Sequence, residues 1–434
     1  MLGLLLAATA AHATLYSLTF CAQYDVTYDD ADSGYGDDYV KQDTTYVAQG
    51  ARLVVTRNRD GLVMRDAYME WEGASAGCQT STLTLASSDV EPLGYDVKVH
   101  SKASVNGNIV YVHPDDSSLG RYAYGPGAYH PVASGTYTVT TPVADQWRIA
   151  EAAGFAMYRR SAGLTGETFN LFNEAYPGTT SNTGYDRDTD RVDVSSTGAD
   201  NKYMIVHEFG HMLAARANDS GTCATASCAP NKDYTADYNN CYTPSTDLTT
   251  HSSNQMEYAS AAAWEGIAHY YSVVAFNNTS ETDCGWVYYK PTDWNLDGDY
   301  TDTEEGDEEG LSRESYPATP QGTGTCDPAG PDYTGRCCWA DDVGTDCDAG
   351  ANGNCDNRST EYDWLRFFWD LDTDTSLDTT TIFELFDQSD PDTWNADDSG
   401  AAGNDPAPRL RNAADGLGYL GAWDRCDDDN GVHR

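Results

Sequence analysis

The segment His207-Glu208-Phe209-Gly210-His211 brings two imidazoles and a carboxylate together in a chain that has only nine histidines. On an α-helix, residues four apart share a face, so His207 and His211 can direct ring nitrogens at one metal ion, which zinc accepts at about 2.0–2.1 Å. Glu208 is turned about 100° from His207 and can reach a metal-activated water without being a ligand, the placement a general base needs. A catalytic zinc takes three protein ligands and keeps one position for water, so a third ligand is required.

Three downstream residues are candidates for it: Glu265, Glu257 and His251. Read as one long helix from His251 to Phe276, with Ser252 and Gln255 as a capping box, the segment puts Glu257 two turns before Glu265 and on nearly the same face. Ala214 and Ala217 occupy the positions where the metzincin pattern has a glycine and a third histidine, which argues against that family. The stretch AAAWEGIAHYYS resembles the second signature of the gluzincin metallopeptidases, an E-G-x-A helix matched here by Glu265, Gly266 and Ala268. The resemblance implies zinc held by His207, His211 and Glu265, with the small Gly266 and Ala268 letting the two helices pack closely. It also implies a Tyr or His as oxyanion donor, for which Tyr271 and Tyr362 are the candidates. The chain departs from the family in the long gap between the motifs, in Trp264 where Asn often stands, and in His269 where an acidic residue often orients a zinc-bound histidine. Glu257 and His269 are therefore read as candidate supports behind the ligands.

The stretch DWNLDGDYTDTE fits the EF-type loop pattern at every specified position. Asp293, Asn295 and Asp297 offer side-chain oxygens, Asp299 its carbonyl and Glu304 both carboxylate oxygens, around the turn at Gly298. Its flanks do not read as paired helices, so a structural calcium site is expected. Two further D-x-D-x-D runs, Asp186-Asp188-Asp190 and Asp370-Asp372-Asp374, lack the glycine and read as solvated loops.

A formal charge of −44 and a pI near 4.1 exclude nucleic acid and anionic membranes as partners, since phosphates demand clustered Lys and Arg. No apolar run after the first residues is long enough to insert in a membrane. The opening MLGLLLAATAAHA reads as a signal peptide cleaved after Ala13, which makes the protein secreted and its twelve cysteines candidates for disulfides, with Cys21 and Cys78 expected to pair from their positions.

The organisation expected from these signals is multidomain. Residues 1–13 form the signal peptide and 14–143 an all-β sandwich with runs such as YDVKVHS and NIVYVHP. Residues 144–280 form a zincin-like α+β catalytic core, opened by a helix with Asp145 as N-cap and continued by a motif helix with Asp200 near its start. Residues 281–360 read as Cys- and Asp-rich loops, and 361–434 as a helical completion of the catalytic part. The function expected is a secreted zinc metalloendopeptidase acting on proteins or peptides, with Glu208 as general base. The same residues are compatible with a secreted binding or adhesion protein that keeps the fold without turnover, and with a zinc hydrolase of non-peptide amides. Nothing in the sequence fixes an oligomeric state.

Overall fold

The structure is a computed structural model that describes residues 14–28, 42–86, 94–114, 122–175, 178, 182–218, 257–276, 358–359, 361–375, 377–395, 401–430 and 432. The signal-peptide segment, His251, the calcium loop from Asp293 to Glu304, and every cysteine except Cys21, Cys78 and Cys426 lie outside the described residues. Mixed β-sheets and helices make it an α+β fold. Among the described residues no helix is long and apolar enough to cross a membrane.

Alternating apolar residues draw the N-terminal part into strands. The clearest is β6 (Tyr95–Val105), in which Tyr95, Val97, Val99, Ser101, Ala103 and Val105 are buried and every intervening residue faces outward. The first sheet is built on β1 (Leu15–Tyr28), which pairs in parallel with β10 (Gly135–Thr140) and antiparallel with β2 (Gln42–Val47) and β5 (Leu83–Ala86). Cys21 and Cys78 form the expected disulfide. The second sheet has the order β12 (Gly184–Asp186), β13 (Arg191–Asp193), β11 (Thr168–Phe172), β7 (Asn108–His113), β6, β3 (Ala51–Arg57) and β4 (Leu62–Tyr68). The short strands β8 (Ala123–Tyr124) and β9 (Ala128–Tyr129) also pair with β6. Because β7 and β11 pair in parallel, this sheet continues across residue 143 and joins the first part of the chain to the part that carries the histidine motif.

Helix α1 (Asp145–Arg159) packs on both sheets. Trp147 stacks on Tyr24 at 5.6 Å, while Gly154 faces Ala103 of β6 and Trp71. Its N-cap is Ala144, not Asp145 as the sequence suggested; Asp145 sits in the first turn and binds Arg148 instead, a placement the helix dipole still favours. Helix α2 (Lys202–Asn218) carries the motif and is capped by Asn201, whose Oδ1 accepts the backbone N–H groups of Tyr203 and Met204. Helix α3 (Ala259–Phe276) is buried along its entire length, as a helix apolar on all sides must be. Helices α4 (Glu361–Thr375), α5 (Thr379–Gln388), α6 (Pro406–Leu417) and α7 (Leu420–Asn430) complete the layer, and Cys426 is buried on α7.

The long helix expected from residue 251 begins only at Ala259. Glu257 and Tyr258 form a strand, β14, that pairs with β15 (Arg358–Ser359), so Glu257 does not share a helical face with Glu265. A pairing partner about a hundred residues downstream outweighs the local helical pattern. Of the two acidic runs, the first is an exposed turn around Asp188 as expected, apart from Asp190, and the second is helical. Asp190 is paired with Arg216, and Asp372 lies on α4 and accepts the Tyr270 hydroxyl at 2.8 Å.

The packing at Gly266 and at Asp193 can each be tested by substitution. A Cβ placed on Gly266 would lie 2.3 Å from the Trp364 Cβ and 3.0 Å from the Leu365 backbone nitrogen, so α3 and α4 would have to separate. Gly266→Ala is expected to destabilise the fold by about 1–3 kcal/mol in urea unfolding. On β13, Asp193 is fully buried beside Arg191 and Glu174, and burial raises its pKa to about 7 despite the opposing Arg191 charge, with Glu174 adding to the rise. The folded state then binds the proton that the unfolded chain releases near pH 4, so this residue's contribution falls as pH rises from about 4 to about 7. Asp193→Asn is expected to flatten that part of the Tm profile, read by thermal unfolding across the interval.

Candidate metal centre

Helices α2 and α3 approach most closely where side chains are smallest. A Cβ on Gly210 would lie 3.0 Å from the Cα of Ala268, so the glycine inside the motif meets that alanine, whereas Gly266, expected at the same contact, faces Trp364 of α4 instead. That contact sets Glu265 opposite the two motif histidines. One oxygen, Glu265 Oε2, lies 3.1 Å from His207 Nε2 and 2.9 Å from His211 Nε2.

Three atoms bound tetrahedrally at 2.0–2.1 Å from one zinc would stand about 3.3 Å apart, so these spacings suit a metal's ligands after a small expansion. The donor set of two imidazoles and one carboxylate also matches zinc's preferences. Burial argues in the same direction: Glu265 is 3 % exposed, and a carboxylate so placed needs cationic or hydrogen-bonded partners to offset its desolvation.

Two carboxylates compete for the third position. Donor atoms of His207, Glu208 and His211 lie within 4.8 Å of one another, a cluster that could hold a metal ion. Yet Glu265 is the one in direct contact with both rings, and Glu208 is engaged elsewhere: its Oε2 accepts the backbone N–H of Tyr185 at 2.9 Å. The geometry therefore distinguishes Glu265, in contact with both rings, from Glu208, which is bonded to β12.

The imidazoles are oriented largely by rings. Trp264 stacks on His211 at 4.6 Å with an interplanar angle of 23°, which gives the residue that departs from the family pattern a definite place. His269 packs against the His207 ring at 4.3 Å, and its Nε2 contacts Glu361 Oε2 at 2.9 Å. His207 Nδ1 is buried and makes no hydrogen bond among the described residues, so apart from the Glu265 contact at Nε2 this ring is held by packing against His269 and His211.

The sequence-derived residues thus divide. His207, Glu208, His211, Glu265 and His269 come together. Tyr271 does not: it is fully buried, packs at Gly210, and donates its hydroxyl to the Arg160 carbonyl at 3.0 Å, so it cannot serve as an oxyanion donor. The side chains of Glu257 and Tyr362 lie outside what is described. Glu361 and Tyr185 were missed. Neither belongs to a local motif, because one reaches the site from the start of α4 and the other from an edge strand through its main chain.

No protein-family model matches this chain, and no curated protein sequence matches it either.

If His269 and Glu361 hold the His207 ring in place, Glu361→Gln should weaken metal binding, by less than the roughly 10-fold that follows loss of a group bonded directly to a metal-ligating histidine. Glu265→Ala, which removes a donor atom, should weaken it far more. Competition with a chromogenic chelator reads both.

Proposed function

We propose that this protein is a zinc-dependent metallopeptidase of gluzincin type, a secreted enzyme that hydrolyses peptide bonds. The observation that carries the reading is the contact of one Glu265 oxygen with both motif histidines while a Glu208 oxygen in the same cluster accepts the Tyr185 N–H. His207, His211 and Glu265 would hold the zinc, and calcium in the loop from Asp293 to Glu304 belongs to the same proposal. Bound there, zinc supplies Lewis-acid activation of the attacking water and of the scissile carbonyl.

The chain's own residues do the rest. Glu208 takes the proton of the attacking water and delivers it to the leaving nitrogen, a task for a carboxylate that stands beside the ligands without being one. The N–H of Tyr185 fixes one Glu208 oxygen, so the carboxylate does not have to be ordered during the reaction. A polypeptide substrate is favoured because β12 is the terminal strand of its sheet among the described strands, and an extended peptide can add to such an edge.

Elemental analysis and casein hydrolysis on the same preparations test the reading. Wild type should carry about one zinc per chain and cleave casein. Glu265→Ala should lose both, and Glu208→Gln should retain zinc while losing at least about 100-fold in turnover. Zinc without hydrolysis in the wild type would favour a binding protein with this site, and absence of zinc after incubation with it would overturn the proposal.

A further inference from the structure

The edge strand that touches Glu208 is tied back to the same helix at its far end. After β12 the chain turns, and Asp190 closes the turn in the left-handed region with φ of 51°. Its carboxylate gathers three donors: the Tyr185 hydroxyl at 3.1 Å, Arg216 Nε at 3.1 Å and Arg216 Nη2 at 3.0 Å. Arg216 lies near the C-terminal end of α2, its side chain only 7 % exposed, with the guanidinium over the Phe169 ring at 4.7 Å. A separate arm of the guanidinium binds Glu167, just before β11, at 3.1 Å.

These contacts close a ring. Helix α2 presents Glu208 to the main chain of Tyr185 and Arg216 to Asp190, and Asp190 holds the Tyr185 side chain. Tyr185 is thus grasped by backbone and hydroxyl from two points on one helix. Arg216 is largely buried and held by two carboxylates, which limits its freedom to leave Asp190. Any slip of β12 along α2 would move the N–H that meets Glu208.

We propose that Arg216 and Asp190 are positioning residues for the general base: through Tyr185 they set the place of β12 and so the orientation of the Glu208 carboxylate. The inference rests on the peptidase reading for its catalytic consequence, but its structural half stands apart from activity. Glu167 supplies an internal control, since it shares the same guanidinium and is not on the path to Tyr185.

The test compares Asp190→Asn, Tyr185→Phe and Glu167→Gln in the full chain. Hydrogen–deuterium exchange of the segment 183–187, measured by mass spectrometry on metal-free protein, should speed up about 10-fold in Asp190→Asn and Tyr185→Phe and stay unchanged in Glu167→Gln. On zinc-loaded protein the first two should lose about 10- to 100-fold in kcat, with KM within about twofold and zinc stoichiometry intact, as expected when a catalytic group is displaced slightly. Equal exchange in all three variants, or equal kcat losses in Asp190→Asn and Glu167→Gln, would overturn the proposal and leave Arg216 as a fold-stabilising residue. Tyr185→Phe deletes one hydroxyl and keeps the test usable should Asp190→Asn fail to fold. If wild type binds zinc but does not hydrolyse casein, the peptidase reading fails while the exchange result still decides the clamp.

Discussion

Two buried helices can bring functional groups into contact only where nothing intervenes between their backbones, and α3 meets that condition on two sides. Gly210 of α2 lies against Ala268, and Gly266 lies against Trp364 of α4. A methyl group at either glycine would press on a neighbour. The first approach sets the Glu265 carboxylate between two imidazoles; the second brings Glu361 to His269. Close packing and site geometry are therefore one constraint.

The electrostatics of the site follow from its depth. Glu265 and Glu361 are almost fully buried, and each contacts imidazole nitrogen, so neither carboxylate is left to bear its desolvation alone. Ring faces also pack against both motif histidines. Trp264 lies on one side of His211, and Phe386 lies beyond Trp264 at 6.2 Å, so α5 also bears on the orientation of the His211 ring.

The strands contribute as much as the helices. A sheet that begins in the N-terminal part and runs through β7 and β11 to β12 delivers a main-chain N–H to Glu208, which makes the first part of the chain a support for the site as well as a neighbour of it. Helix α1 joins these layers, through Trp147 on Tyr24 at one end and Phe155 on Phe276 at the other.

Periodicity makes much of this legible in the amino-acid chain alone. The spacing of His207 and His211 is a property of any α-helix, the alternation in β6 is a property of any half-buried strand, and E-G-x-A carries Glu265 through its resemblance to a family signature. Glu257 shows where local reading fails: a helical pattern gives way to a strand once Arg358 and Ser359 are beside it. Tyr271 shows the same for function, since its residue type suits an oxyanion donor but its hydroxyl is turned to Arg160. Glu361, Tyr185, Asp190 and Arg216 carry no local signature, because their roles come from contacts between elements far apart in the chain. The sequence by itself determined that His207, Glu208 and His211 lie close together, through spacings that one helix imposes. Only the tertiary structure decided that a Glu265 oxygen contacts both histidines while a Glu208 oxygen meets the Tyr185 N–H, because that arrangement depends on how closely α2 and α3 approach and on where β12 lies.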